Sequence, residues 1–415
     1  MSSISLVERN AKNRQNFIQM LYTCALLLLA FKNITDSSII MKKPVFLDDL
    51  IIVLFTGIIG VKIITQRYTL FKFVFSIVLF CLCLYTCIKC YYFYLYFTAL
   101  LFIAIQDVDL EKALNIVWKF KAFLISIHVI AYMAAFILNP YSVPYSYRNG
   151  VQRMTFYQGH ANTFSMYICW ISMEFLYSNF KKLTPLKLGV VWFINYFFYI
   201  FCDSNTALTI ITMASILIYI SMLKNDFSKY YEWLIKIFSK YLYAFLSIFF
   251  VTIIIGYVNG LFSGVFEILD QMFTGRLLYG AVAYDLKGLS IFGKVAAFDD
   301  KIFWRGHWID GMIFDNCYIW MIVCYGIVYL VLISLASIVF NSQMDIRDRI
   351  FIILYSLYTI MEAYVMNAAI CFPLLIFGIY FTKKKKSKTS IMMNRLSKKE
   401  QRINESQSKY YNTCL

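Results

Sequence analysis

Charged residues are few in this 415-residue chain, and proline and histidine are rarer still. Asp, Glu, Lys and Arg make up 15% of the sequence, against about 25% in an ordinary globular domain, and there are only five prolines and three histidines. Hydrophobic residues make up 61%, and the mean hydropathy is +0.66. This composition excludes an ordinary soluble domain and indicates a polytopic membrane protein.

The long apolar runs also lack the polar alternation of membrane β-strands. Backbone groups in lipid must be satisfied within their own segment, so these runs predict helices and an all-α fold. At about 20 residues per span, the sequence predicts twelve transmembrane helices, with one large outer loop at 263–315 between spans 9 and 10. A helix on the inner membrane surface is predicted at 224–240. The predicted spans are 16–31, 46–64, 70–88, 91–106, 113–138, 161–180, 188–202, 206–223, 241–262, 316–340, 350–366 and 368–382.

The net charge of +16 is distributed unevenly along this predicted topology. If the N-terminus is cytoplasmic, 28 of the 39 Lys and Arg residues lie on the inner side. Such a bias is a topology signal, so it predicts two cytoplasmic termini and does not indicate a nucleic-acid partner. The predicted domains are a membrane-embedded helical domain at 1–382 and a basic, disordered cytoplasmic tail at 383–415.

The eleven cysteines lie mostly inside apolar runs and lack the His and carboxylate neighbours of a metal site. We interpret them as small apolar residues. The sequence therefore predicts no metal and no cofactor.

The most informative polar stretch is 139–162, which interrupts two long apolar runs and contains Arg148, Arg153 and His160. A cation close to the hydrocarbon costs about 2.5–3.5 kcal/mol even on the insertion scale, so these residues are functional candidates. Asn162 is predicted as the N-cap of the next helix, where exposed amides attract anions. An arginine beside such a terminus suits a phosphate. The alternative is that Arg153 only snorkels to the head groups.

Four polar connections emerge on the predicted outer face, at 139–160, 203–206, 263–315 and the Glu362–Asn367 corner. Glu362 is an ionisable group inside a predicted span, which makes it a functional candidate. The alternative is a structural ion pair with a cation such as Arg276. The large loop adds further polar candidates: Arg305, His307, Asp310 and Asp315.

Together these motifs resemble the bacterial oligosaccharide repeat-unit polymerases (Wzy type) of the O-antigen ligase and polymerase superfamily. The resemblance spans most of 139–380, and its motifs occur in the family's order. It differs where Ser204, Asn205 and Thr206 replace a Ser-Arg-Thr motif and where Ala161 replaces a proline. The residues that carry it are Arg153, Phe156, Gly159, His160, Ala161 and Asn162; Thr274, Gly275 and Arg276; Phe292 and Gly293; Asp315, Asn316, Tyr318 and Gly326; Glu362 and Asn367.

The resemblance implies glycosyl transfer at the outer face of the bacterial cytoplasmic membrane, from a glycan on polyprenyl diphosphate to a second lipid-linked repeat. Arg153 and Arg276 are expected to stabilise the leaving diphosphate. His160 is the first choice for the general base, with His307 and Glu362 as alternatives. Flippase and chain-length regulator proteins are the expected partners. The expected substrate-binding residues are Asn162, Arg148, Arg305, His307, Asp310 and Asp315.

Three alternatives remain at the level of sequence. A ligase would join finished glycan to another acceptor, and the sequence does not separate it from a polymerase. A flippase or transporter of lipid-linked sugars should carry charges and broken helices at mid-membrane depth, with repeated halves. A membrane acyltransferase is disfavoured because no His-Asp pair lies on a span.

Overall fold

The computed structural model describes residues 2–148, 150–223, 227–295, 297–298, 301–310 and 315–383. The side chains of residues 2–8, Phe227 and Asp310 lie outside this description. One compact unit spans Met1–Phe381, and the second, Thr382–Leu415, lies almost wholly outside the described residues. The prediction of a disordered tail therefore also lies outside them.

The described chain is mostly helical. Its α-helices are α1 (Ser2–Asp36), α2 (Val45–Ile64), α3 (Leu70–Cys90), α4 (Tyr94–Ala104), α5 (Leu110–Leu138), α6 (Ala161–Ser178), α7 (Pro185–Cys202), α8 (Asn205–Met222), α9 (Phe227–Val258), α10 (Ser263–Met272), α11 (Arg276–Lys287), α12 (Cys317–Trp320), α13 (Ile327–Phe340), α14 (Ile346–Tyr358) and α15 (Pro373–Thr382).

Six helices of the described chain are long and apolar enough to cross a membrane. Shorter apolar helices accompany them, including α4 and α15. A core of buried apolar side chains runs through the bundle, and Tyr318, Tyr325 and Tyr355 are almost completely buried in it. The structure thus agrees with a helical membrane protein. The six helices are Arg9–Asp36, Leu70–Cys90, Leu110–Leu138, Pro185–Cys202, Asn205–Met222 and Ser228–Val258.

Two short β-hairpins correct the all-α prediction. Strands β1 (Tyr145–Arg148) and β2 (Val151–Met154) pair antiparallel, as do β3 (Lys301–Trp304) and β4 (His307–Asp310). Both hairpins lie in the polar connections. In the second hairpin a two-residue turn with positive φ joins strands of matching twist. In the second turn, φ is 48° at Arg305 and 86° at Gly306.

The surface helix predicted at 224–240 is not separate from the next predicted span, and residues 224–226 lie outside the described residues. Residues 227–240 form the first part of α9, which continues without a break to Val258. The segment 227–255 contains neither proline nor glycine, so nothing in it interrupts helix propagation.

The predicted span at 316–340 is broken in the middle. Helix α12 passes into a π-helical turn at Met321–Tyr325, and α13 begins after Gly326, whose φ is 115°. A Cβ at Gly326 would lie 2.3 Å from the carbonyl oxygen of Ile291, so only glycine fits there.

Residues 288–295 of the large loop satisfy the backbone groups that this break releases. The amide of Ser290 donates to Ile322 O (2.7 Å), and the amide of Ile327 donates to Ser290 O (2.9 Å). Irregular backbone inside a membrane protein is tolerated where protein covers it, and here the loop provides that cover. The loop predicted at 263–315 also contains α10, α11 and the second hairpin.

A second irregular segment separates α14 from α15. Residues 359–372 contain only a 3₁₀ turn at Ala363–Met366. The predicted spans at 350–366 and 368–382 therefore correspond to two short helices joined by a long buried connection. This connection carries Glu362 and Asn367, which are 6% and 0% exposed.

Candidate functional site

The first hairpin brings Arg153 to the C-terminal end of α7. Its side chain is 1% exposed. Nε donates to the carbonyl oxygen of Cys202 at 2.6 Å, and Nη2 donates to that of Asp203 at 3.2 Å. A buried cation at this position satisfies terminal carbonyls and complements the negative end of the helix dipole.

Arg148 and Asn162 complete this group. Asn162 Oδ1 accepts from Arg153 Nη2 at 2.5 Å and from Arg148 Nη2 at 3.3 Å. Arg148 Nη1 donates to Asp203 O at 3.1 Å, and its side chain is 32% exposed. The structure therefore brings together the predicted polar stretch and the predicted turn at 203–206. Of the two arginines, Arg148 is the one that solvent reaches.

His160, and not Asn162, is the N-cap of α6. Asn162 lies in the first turn, and its amide donates to His160 Nδ1 at 3.1 Å. Because Nδ1 accepts this bond, the proton of the neutral ring is on Nε2. Desolvation by the surrounding chain, followed by the positive charges of Arg153 and Arg148, lowers the pKa of His160. The exposed nitrogen is therefore a donor in this arrangement, which disfavours the predicted role of His160 as the base.

A second group forms around Arg276 at the start of α11. Its Nη1 donates to the carbonyl oxygen of Met361 at 2.6 Å. Its Nη2 lies 3.7 Å from Asp315 Oδ2 and 3.9 Å from Glu362 Oε1. The sequence alternative of an ion pair between Arg276 and Glu362 is thus present, and Asp315 joins it as a second carboxylate.

The two groups are linked electrostatically through Glu362. Burial, and then the charge of Asp315, raise the pKa of Glu362, whereas Arg276 and Arg148 act to lower it; the net result is a raised pKa. Burial also raises the pKa of Asp315 against the effect of Arg276. Two carboxylates that share a buried site cannot both ionise easily, so one of them is suited to accept a proton near neutral pH.

The remaining predicted residues lie on the second hairpin. Arg305 stacks on Trp304, with its guanidinium carbon 4.7 Å from the ring centroid, and donates to Val258 O at 2.5 Å. His307 is exposed in β4, and Asp310 pairs with Lys301 across the hairpin backbone. Within the described residues, Arg305 and His307 make no hydrogen bond or ion pair to the Arg276 group.

The sequence analysis missed a buried ion pair inside the bundle. Lys121 of α5 donates to Glu174 of α6, and the two residues are 2% and 1% exposed. The sequence analysis counted Lys121 among the 28 Lys and Arg residues of the inner side and did not consider Glu174. The available signal was charge inside an apolar run: Lys119 and Lys121 in WKFKAFLIS, and Glu174 in WISMEFLYS.

Chemically, the two groups provide two kinds of function. Arg148 and Arg276 offer cations to an anion, and the carboxylate pair offers a proton acceptor. Among the described residues, no group of three or more His, Cys, Asp or Glu side chains is placed to hold a metal. Comparison with protein-family models, curated proteins and solved structures finds no match for this chain.

Proposed function

We propose that this chain is a membrane glycosyltransferase that polymerises polyprenyl-diphosphate-linked oligosaccharide units at the outer face of the bacterial cytoplasmic membrane. One observation carries the proposal. The buried carboxylate Glu362 lies 3.9 Å from Arg276 Nη2, and the charge of Arg148 also acts on it, so a carboxylate lies beside one cation and within the electrostatic range of a second. The proposal includes the twelve-span topology with both termini in the cytoplasm, because this arrangement puts the polar connections on the outer face.

The proposed reaction uses these residues as follows. The acceptor hydroxyl of one lipid-linked unit attacks the anomeric carbon of the growing chain, and the bond from that carbon to the diphosphate oxygen breaks. Negative charge develops on the leaving diphosphate, where fixed guanidinium groups stabilise it. We assign this role to Arg276 and Arg148. Glu362 accepts the hydroxyl proton, with Asp315 raising its basicity.

Arg153 and His160 take different roles from those expected from sequence. Arg153 is a positioning residue, because its guanidinium is buried among carbonyls and Asn162. His160 caps α6 and presents Nε2–H, which donates to an oxygen of the substrate. The steps assigned to these residues involve no metal or cofactor. The expected partners remain the lipid-linked oligosaccharide and membrane lipid, with a flippase and a chain-length regulator in the same process.

Purified protein incubated with lipid-linked repeat units alone is expected to produce a ladder of longer glycans. A polymerase uses the same molecule as donor and acceptor, whereas a ligase needs a second acceptor. Gel separation of the products measures the ladder, and an Arg276→Ala sample is the control. Product that appears only after a different lipid or protein acceptor is added would assign the chain to ligation.

The pH dependence of turnover is expected to distinguish the two candidate bases. A base works when it is deprotonated, so the rate should rise with pH through the raised pKa of Glu362. We expect Glu362→Gln to lose this rise of the rate with pH and to turn over roughly 10²–10⁴-fold more slowly. His160→Asn, which keeps a helix N-cap and a hydrogen-bond donor, should retain the rise of the rate with pH. If this rise of the rate with pH disappears in His160→Asn and persists in Glu362→Gln, the base is His160.

Transport of lipid-linked oligosaccharide is a second candidate, and specific observations favour it. The helix break at Gly326 and the buried pair Lys121–Glu174 are the features expected of a transporter at membrane depth. Reconstitution into vesicles tests it: movement of a labelled lipid-linked sugar across the bilayer without any chain growth would replace the polymerase by a flippase.

A further inference from the structure

The irregular segment 359–372 is held by buried cations near both of its ends. Toward the start, Arg276 donates to Met361 O at 2.6 Å. Toward the end, Lys121 donates to Ala369 O at 2.6 Å. A backbone carbonyl outside regular structure in a dry interior needs such a partner, because leaving it unsatisfied costs several kcal/mol. Both cations therefore hold the segment that carries Glu362 and Asn367.

Each cation is neutralised by carboxylates of its own. Arg276 lies beside Asp315 and Glu362, and Lys121 donates to Glu174 Oε1. Glu174 Oε2 is buried and has no hydrogen-bond partner among the described residues. Glu174 thus makes a single bond, to Lys121. In the described structure, Glu174 pairs with the side chain whose ammonium also reaches Ala369 O.

Further hydrogen bonds hold the part of the segment between the two cations. Asn367 Nδ2 donates to Asn33 Oδ1 of α1 at 3.1 Å, and Asn367 Oδ1 accepts from the amide of Ala369 at 3.1 Å. Thr98 of α4 donates to Met366 O at 2.6 Å. The segment is thereby tied to α1, α4 and α5 through polar contacts in an otherwise apolar core.

We infer that the Lys121–Glu174 pair is an intramembrane anchor that fixes the segment 359–372 and thereby positions Glu362. The pair spans α5 and α6, which pack against each other through apolar side chains as well, so the fold of these helices does not require it. Its particular contribution is the bond from Lys121 to Ala369, seven residues from Glu362. The anchor itself is independent of the reaction, and only its effect on turnover rests on the function proposed above.

The test replaces both charges at once, in Lys121→Met with Glu174→Met. Removing one partner alone would leave a buried charge unpaired, whereas an apolar pair of similar volume is often neutral or stabilising for a fold. Hydrogen exchange measured by mass spectrometry on the full chain in detergent then reports on the segment directly. We expect amides of 363–372 to exchange at least about tenfold faster, while α5 and α6 keep their protection.

Two further variants keep the test decisive. The charge swap Lys121→Glu with Glu174→Lys retains an ion pair but moves the ammonium away from its position on α5, so it should show the same local increase. Lys62→Met is the matched control: Lys62 is also fully buried and donates to a carbonyl, that of Gln106 at 2.8 Å, but does not contact the segment. Wild-type exchange at 363–372 in both double variants, or loss of protection spread over α5 and α6, would overturn the anchor.

Turnover provides the second readout. If the anchor positions the base, kcat should fall roughly tenfold or more in the double variants while KM changes little, because substrate binding uses Arg276 and Arg148. Faster local exchange with unchanged kcat would overturn the positioning of Glu362 by the anchor. Wild-type protein that makes no polymer at all contradicts the proposed function instead, and leaves the exchange result to decide on the anchor.

Discussion

Arg276→Ala is expected to reduce long-chain glycan by at least about a hundredfold while single lipid-linked units accumulate. Removing one preorganised donor from a developing oxyanion typically costs 10²–10³-fold in rate. Arg276 is the only cation within 4 Å of Glu362 among the described residues, so its loss removes both the diphosphate contact and the partner of the base. Gel analysis of glycan from cells that express the variant, normalised to inserted protein, measures the effect.

Two controls separate this loss from misfolding. Arg276→Ala leaves Asp315 and Glu362 without their nearest cation, which destabilises a buried site by itself. Arg276→Gln combined with Glu362→Gln removes a charge of each sign and should restore stability without restoring activity. Lys287→Ala, at the opposite end of α11, should behave like the wild type. A full-length ladder from both Arg276 variants would eliminate the proposed diphosphate contact.

Arg153→Lys is expected to lower stability by about 3 kcal/mol and activity along with it. Hydrogen bonds to charged groups contribute about 1.5–3 kcal/mol each, and a lysine cannot reproduce the planar fork that reaches Cys202 O, Asp203 O and Asn162 Oδ1. Thermal unfolding in detergent measures the change. The carbonyl oxygens at the C-terminal end of α7 would then lose hydrogen bonds, and Asn162 Oδ1 would lose one of the two donors that it shares with Arg148.

Arg349→Lys is the comparison for this prediction, because Arg349 makes a single backbone bond, to Asn341 O at 3.1 Å. Because a lysine ammonium can reproduce a single hydrogen bond, the effect on stability should stay below about 1 kcal/mol. If Arg153→Lys matched the wild type in stability but bound substrate more weakly, Arg153 would contact the substrate directly, as the sequence alone predicted.

Local sequence patterns were sufficient for several parts of this picture. A lone Glu362 near the end of an apolar run marked a buried carboxylate, and Arg276 was named as its possible partner; the structure contains that pair. The convergence of the stretch around Arg153 with the turn at Asp203 also followed from placing polar connections on one face. For Glu362, the cost of burying a charge in an apolar run identified the position; for Arg153, the signal was a polar stretch between two apolar runs.

Local patterns failed where the outcome depended on a distant residue. His160 and Asn162 lie on either side of Ala161, the first residue of α6, and only the geometry of the first turn decided which one caps the helix. Hydropathy across 316–340 is continuous, yet the helix breaks at Gly326 because a loop segment some 35 residues earlier supplies hydrogen bonds there. Lys121 looked like an inner basic residue because Glu174, its partner, lies 53 positions away.

The sequence by itself determined that this is a helical membrane protein. It also identified the charged residues whose burial is costly, because the free energy of transfer into an apolar medium depends on each side chain separately. Tertiary structure decided which charges meet, which guanidinium groups reach solvent and which helices break. Those outcomes depend on hydrogen bonds between segments far apart in the chain, and no local pattern of side chains specifies them.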